Sequence, residues 1–328
     1  MMSSHVILFG STGMLGNTIK KYFKSTNSFE LICISRQHFD ILNSNQSTLY
    51  NQLYNLFKVF PKESIIINAI GLIPHTGNKN EQDYLKINAE FPKLLDQLCN
   101  TFNCKFIHIT TDCVFNGLLK GGCYKEDSIK DEEGIYGKSK ALGEELTNAT
   151  VIRTSIIGEQ SKPITIGEQR EPTIGEQSKP ITIGEQRKPI TIGEQRKPTI
   201  GEQSKPNYLS LLEWVRSSKD KTINGFTNHY WNGVTCLRLA QLLHKIVEKG
   251  LFWKGVSHIF SDTVSKYQLI KYINEIYKLN ININPIECEK TIDKTLSSNH
   301  ITNTILNKHT CEISIYQQIK EQMEFFSN

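Results

Sequence analysis

The chain has 328 residues, 38% of them hydrophobic, which is enough for one large or two moderate domains with proper cores. Lys+Arg 38 against Asp+Glu 33 leaves a formal net charge of +5 with no long basic run, which argues against a nucleic-acid partner and suits ligands that carry phosphates. No apolar stretch reaches the ~18 residues of a membrane helix, and Met1-Met2-Ser3-Ser4 has neither a charged n-region nor a cleavage site, so a cytoplasmic protein without a membrane partner is expected.

The N-terminal half alternates between two periods. His5–Phe9 reads as a short strand, followed by a glycine-rich turn and an amphipathic helix to about Lys24. Leu31–Ile34, Ser64–Ala69, Lys105–Ile109 and Thr150–Arg153 read as further strands. Helical stretches near 49–60, 84–99 and 136–146 separate them. Strands that are apolar on both faces and alternate with helices predict an α/β fold: a Rossmann-type, doubly wound parallel sheet over residues 1–156. After residue 206, helices near 209–217, 236–248, 266–277 and 314–325 predict a smaller mixed C-terminal substrate lobe, 207–328, with some return to the Rossmann sheet.

Residues 157–206 repeat one phrase, Ile-Gly-Glu-Gln followed by a charged pair and Pro, with copies starting at Ile157, Ile166, Ile174, Ile183, Ile192 and Ile200. The period wobbles between eight and nine residues, and each unit carries a Gly and a Pro. One or two isoleucines per unit bury too little surface to offset the ordering entropy. The expectation is a flexible tandem-repeat insertion, with a stack of small β-turn units as the alternative. The eight cysteines show no C-x-x-C pair and no His/Cys ligand cluster, so free thiols and no metal are expected.

Four patterns carry chemistry. Gly10-Ser11-Thr12-Gly13-Met14-Leu15-Gly16 lies between a strand and a helix, where backbone can approach a pyrophosphate and the helix N-terminus meets its charge. Arg36, twenty positions after Gly16 at the end of the second strand, suits the 2′-phosphate of NADPH rather than the free ribose hydroxyl of NADH. Tyr136 and Lys140 are four apart, on one helical face, where an ammonium is expected to lower the phenol's pKa and ready it as a proton donor. Thr110-Thr111-Asp112 follows the fourth strand, at the carboxyl end of the sheet, where a hydroxyl can polarise a carbonyl.

Together, Ile109-Thr110-Thr111-Asp112-Cys113-Val114-Phe115, Tyr136-Gly137-Lys138-Ser139-Lys140, Ile152-Arg153-Thr154-Ser155, Asn68-Ala69-Ile70-Gly71 and Ile87-Asn88-Ala89 resemble the dTDP-4-dehydrorhamnose reductase family. That family lies in the extended, sugar-nucleotide branch of the short-chain dehydrogenase/reductase superfamily. The resemblance spans nearly the whole chain outside the repeats. It implies Thr111, Tyr136 and Lys140 as the catalytic trio. It implies a cofactor site made of Gly10 to Gly16, with Met14 and Leu15, together with Arg36, Asp40, Ile41, Asn68, Ala69, Ile70, Tyr136 and Lys140. On the substrate side it implies Thr111, Asp112, Asn88, Arg153, Trp231 and Lys294, the last standing where the family often has Arg. Cys113 departs from the family's usual Tyr.

The implied activity is NADPH-dependent reduction of a nucleotide-linked 4-keto-6-deoxy sugar: dTDP-4-dehydrorhamnose, or a UDP-2-acetamido-2,6-dideoxy-hexos-4-ulose, in deoxysugar and polysaccharide precursor synthesis. The reading admits a homodimer. An epimerase or dehydratase of nucleotide sugars is one alternative. Another is a non-catalytic regulatory subunit similar to the β subunit of methionine adenosyltransferase.

Overall fold

The computed structural model describes residues 5–74, 79–159, 210–300 and 312–327. The apolar run His5–Phe9 forms strand β1, and helix α1 (Met14–Thr26) follows the glycine turn and ends on Asn27 in the left-handed conformation. Next come β2 (Glu30–Ile34) and α2 (Gln46–Val59), the latter capped by Asn45, whose side chain accepts the Thr48 N–H at 2.8 Å. Every residue of β3 (Ile65–Asn68) is buried.

The stretch around 84–99, expected as one helix, is α3 (Glu81–Leu85), a π-helical turn (Lys86–Glu90) and α4 (Phe91–Thr101) in succession. Pro92 has no N–H to offer the carbonyl of Asn88, so the regular ladder breaks there and the turn widens. β4 (Lys105–Thr111), α5 (Ile135–Leu142) and β5 (Thr150–Thr154) complete the first half.

The structured chain continues through β6 (Ile156–Ile157) to Glu159, three residues into the segment read as an insertion. The remainder of that segment lies outside the described residues. Glu159 is tied to Arg216 at 2.6 Å, linking the chain before the segment to α6 (Leu211–Arg216) after it. There follow β7 (Thr222–Phe226), β8 (His229–Trp231), β9 (Val234–Thr235), α7 (Cys236–Lys249), β10 (Gly255–His258), β11 (Val264–Ser265), α8 (Lys266–Ile276), β12 (Asn282–Ile286), β13 (Ile292–Asp293) and α9 (Ile315–Ser327).

Six parallel strands make the main sheet, in the order β10-β5-β4-β3-β1-β2. The chain winds outward from β1 to β2, then crosses to β3 on the other side of β1. Strand order reverses at that point, and the crevice beyond the carboxyl ends of β1 and β3 is the natural ligand site of such a sheet. β10, from the C-terminal part, pairs in parallel with β5 at the edge of this sheet. Residues 1–161 and 208–328 share one compact unit. Smaller sheets, β11-β8-β13, β12-β7 and β6-β9, build the C-terminal lobe.

Two apolar layers cover the main sheet. On one face Ile19 and Phe23 of α1 and Leu239, Leu243 and Ile246 of α7 pack on Val6, Leu8, Ile67 and Ile107. On the other, Leu53 and Phe57 of α2 and Phe91, Leu95 and Leu98 of α4 pack on Ile7, Phe9, Ile66 and Phe106. Each fully buried aliphatic side chain of this kind contributes about 1.5–3 kcal/mol. A third cluster, including Val215, Leu269, Ile273 and Ile315, holds the C-terminal lobe. The N-terminus of α7 is closed by α9, whose Gln318 and Gln322 side chains accept the Thr235 and Leu237 N–H groups, both at 3.2 Å. The seven cysteines among the described residues are unpaired. No helix among these residues is long and apolar enough to cross a membrane.

Candidate active site

The glycine turn is shaped for close approach. Gly10 has φ +82°, a conformation that a side chain resists, and its N–H bonds the Ile34 carbonyl at 3.1 Å. A Cβ on Gly16 would collide with the carbonyl of Gly10, so only glycine lets α1 start this close to the turn. Gly13 differs: a Cβ there would meet only Gly10 O, at an ordinary 3.5 Å. The protein's own packing leaves room for a side chain at that position, so the glycine keeps the outer side of the turn open. α1 also begins with no side-chain cap and no acidic residue in its first turn, which leaves its first N–H groups and the positive end of its dipole for an anion. The turn thus fits a dinucleotide pyrophosphate. Ala69 and Ile70 border it, about 3 Å from where a Gly10 Cβ would stand.

The other residues read as cofactor-binding fall into two groups. Arg36 is exposed just past β2. Its charge, added to hydrogen bonds from Asn43 and the Leu42 N–H, outweighs burial and holds the Asp40 carboxyl below its ordinary range. Ile41 is buried in the core. Asn68 is fully buried: its Oδ1 accepts the Ile70 N–H at 3.0 Å and its Nδ2 meets Nδ1 of His108 at 3.2 Å, which fixes the chain as it leaves β3.

At the carboxyl end of β4 the fold brings Thr111 and Tyr136 together. Gly137 is what allows it: a Cβ there would strike the Cys113 carbonyl, so glycine lets α5 close on the turn after β4. The Tyr136 phenol is held above its ordinary range by burial first and then by Cys113, against which the hydrogen-bonding Thr111 hydroxyl works. The expected lowering by a lysine is therefore not what the chain alone produces, because desolvation of the phenolate dominates. Thr111 is itself oriented, accepting the Cys113 N–H at 3.2 Å and donating to Asp112 at 3.1 Å.

Lys140, one turn along the same face, is buried, and its Nζ lies 2.7 Å from where a Cβ of Gly71 would be, at the exit of β3. Burial lowers its pKa to about 8, with Glu144 and Cys113 opposing the fall. Its charge fades as pH rises through that value. We expect kcat/KM to hold at neutral pH and to decline above about 8, and a profile still flat at about pH 9 would contradict a working ammonium.

Several residues expected to face the substrate have their polar groups committed elsewhere. Asn88 spends its amide on both backbone groups of Leu72, at 2.8 and 3.0 Å, and on the Ser139 hydroxyl at 3.1 Å. Arg153 is 1% exposed. Its guanidinium donates twice to Glu144, at 2.9 and 2.6 Å, and once to Nε2 of His258 at 2.8 Å. Trp231 is 4% exposed, within the third core cluster. Lys294 is half-buried and pairs with Glu132 at 3.3 Å, and Asp112 is buried next to Thr111.

Sequence reasoning passed over His108, Glu144 and Lys266. His108 and Glu144 look like ordinary helix and strand residues until the layer beneath α5 is assembled. Lys266 did leave a signal, since it follows the cap Ser265 and puts a cation in a first turn, where acids are favoured.

A parallel sheet that reverses beside a glycine-cradled helix start, with Thr111, Tyr136 and Lys140 gathered at the ends of the neighbouring strands, has the layout of the short-chain dehydrogenase/reductase superfamily. Residues 4–162 match the family described as the RmlD substrate binding domain. That match takes in just under half of the chain, the N-terminal stretch that carries the glycine turn, Thr111, Tyr136 and Lys140.

A dTDP-4-dehydrorhamnose reductase from Aggregatibacter actinomycetemcomitans is 27% identical over 158 residues, 46% of this chain and 51% of that protein. Methionine adenosyltransferase 2 subunit beta from Xenopus tropicalis is 26% identical over 167 residues, 46% of each chain. The chain spans about half the length of the curated relatives it matches. In fold it is similar to a dTDP-4-dehydrorhamnose reductase from Bacillus anthracis in complex with NADP, with TM-score 0.67 and 16% identity over 99% of both chains.

Proposed function

We propose that the chain is an NADPH-dependent reductase of a nucleotide-linked 4-keto-6-deoxy sugar. The observation that carries this reading is the pairing of Thr111 with Tyr136, with Lys140 one turn along α5 and its Nζ by Gly71, at the sheet end that also holds the glycine-cradled start of α1. The printed activity of the Aggregatibacter relative and the NADP in the Bacillus anthracis structure support the same reading.

When bound, the reduced nicotinamide supplies hydride to the sugar carbonyl. The chain's own residues do the rest. The Thr111 hydroxyl, held by the Cys113 N–H, orients the carbonyl oxygen. Tyr136, whose raised pKa keeps the phenol protonated at neutral pH, holds the proton that this oxygen takes up. Lys140 places its ammonium by Gly71, where it would hold the ribose of a bound nicotinamide nucleotide and steady charge that develops on the tyrosine. Arg153 and Asn88 have no part in this scheme beyond support, since their hydrogen bonds are used within the fold.

Arg36, exposed just past β2, would favour NADPH by meeting its 2′-phosphate. Arg36→Asp is expected to raise KM for NADPH by an order of magnitude or more, about the worth of one charge-assisted hydrogen bond, and to leave KM for NADH nearly unchanged. Equal effects on the two cofactors would remove the assignment.

The decisive experiment is a screen of UDP- and dTDP-linked 4-keto-6-deoxy sugars for NADPH oxidation, with NMR of the product. The similarity to methionine adenosyltransferase 2 subunit beta favours one other reading, a nucleotide-binding subunit without turnover. NADPH binding with no oxidation by any of these sugars would select it.

A further inference from the structure

Lys266 is the first residue of α8, directly after the cap Ser265. A cation there is opposed by the helix dipole, which favours anions at that end. Its Nζ rests over the Trp231 indole, 5.3 Å from the ring centroid. Among the described residues the ammonium makes no hydrogen bond and no ion pair. Burial, and then the charge of Lys294, lower its pKa, while Asp112 and Cys113 oppose the shift. The backbone ties the same groups together: the Lys294 N–H meets the carbonyl of Tyr230, next to Trp231, at 3.5 Å, and Asp112 accepts from Thr111 at 3.1 Å.

Two further donors stand close by. Nε2 of His229 is buried without a partner, on a ring that stacks against Phe226 at 4.4 Å, and Lys266 depresses that ring's pKa after burial does. Lys294 approaches the same Cys113 from β13 and shares its charge with Glu132 at 3.3 Å. A desolvated ammonium and an unpartnered imidazole, with Lys294 beside them, leave a deficit of negative charge and of acceptors. In a nucleotide-linked keto sugar the diphosphate is the part that carries charge.

We propose that Lys266 binds the diphosphate of the nucleotide-linked substrate, with His229 as a neutral partner beside it and Lys294 completing the cationic edge. Trp231 acts through Lys266, as the surface on which its side chain rests. This rests on the reading that the substrate is a nucleotide sugar.

The test is calorimetric titration of the full chain with UDP and dTDP, with uridine and thymidine as phosphate-free probes, and with NADPH as a second diphosphate. Lys266→Gln and Lys266→Met, which keeps the packing on Trp231, are each expected to weaken binding of the preferred nucleoside diphosphate by about 10–100-fold, the usual range for a hydrogen bond to a charged group. Lys266→Arg should retain most of the affinity. NADPH and the phosphate-free nucleosides should bind all four proteins alike. Unchanged UDP and dTDP affinity in both neutral variants overturns the proposal and leaves the reductase reading standing. A loss that extends equally to NADPH or to the nucleosides also overturns it, since the residue would then be merely structural. A wild-type chain that takes up NADPH but neither UDP nor dTDP ends both the proposal and the nucleotide-sugar reading.

Discussion

Tyr136→Phe is expected to lower kcat by about 10²–10⁴-fold, the range that a positioned proton donor supplies, while NADPH affinity stays near that of the wild type. The ring would keep its packing against the second core layer, so the loss should not come from unfolding. What disappears is the oxygen beside the Thr111 hydroxyl. Thr111→Ala should cost less, because it removes orientation and leaves the proton in place. The double variant should fall well short of the product of the two losses, since the groups act as a unit. Stopped-flow measurement of NADPH oxidation in single turnover separates the chemical step from binding. A Tyr136→Phe enzyme that reduces the sugar at nearly the normal rate would show that the proton comes from elsewhere.

The largest effect on stability should come from a residue that touches no ligand. The Glu144 carboxylate accepts two bonds from Arg153 and one from Thr110 at 3.0 Å, with Lys130 at 3.5 Å. Burial and the Arg153 guanidinium push His258 down to about 4, so its imidazole stays neutral. It accepts from Arg153 on Nε2, and its Nδ1 proton goes to the Ser297 carbonyl at 2.6 Å.

Glu144→Ala strands a guanidinium that has almost no contact with water. Breaking one side of such a pair costs about 3–5 kcal/mol, a large share of the roughly 5–15 kcal/mol that holds a domain together. Thermal denaturation should show a fall in Tm of the order of 10 °C, and a variant that melts with the wild type would show that the network carries no net stability. Glu144→Gln keeps the shape and offers a second readout. Glu144 opposes the fall in the Lys140 pKa, so without its charge Lys140 should lose its proton below about 8, and the alkaline decline in kcat/KM should shift to lower pH.

The sequence by itself determined the period-two and period-3.6 pattern that makes a parallel sheet covered by helices. It also determined the glycine turn at Gly10–Gly16 and the four-residue spacing that sets Tyr136 and Lys140 on one face. These features are local, encoded by neighbours along the chain, so periodicity and steric rules reach them. Whether a polar residue faces the crevice or is used up inside the fold was decided by tertiary structure. Arg153 and Asn88 lie in phrases that point to a site, and Trp231 is implied beside them, yet each is buried by partners far away in sequence, such as His258, 105 positions beyond Arg153. Lys266 opens a helix that the sequence marks, yet only the folded chain sets its charge within the influence of Asp112 and Cys113. A hydrogen bond or a desolvated charge depends on what the rest of the chain packs around it, and that information is not local.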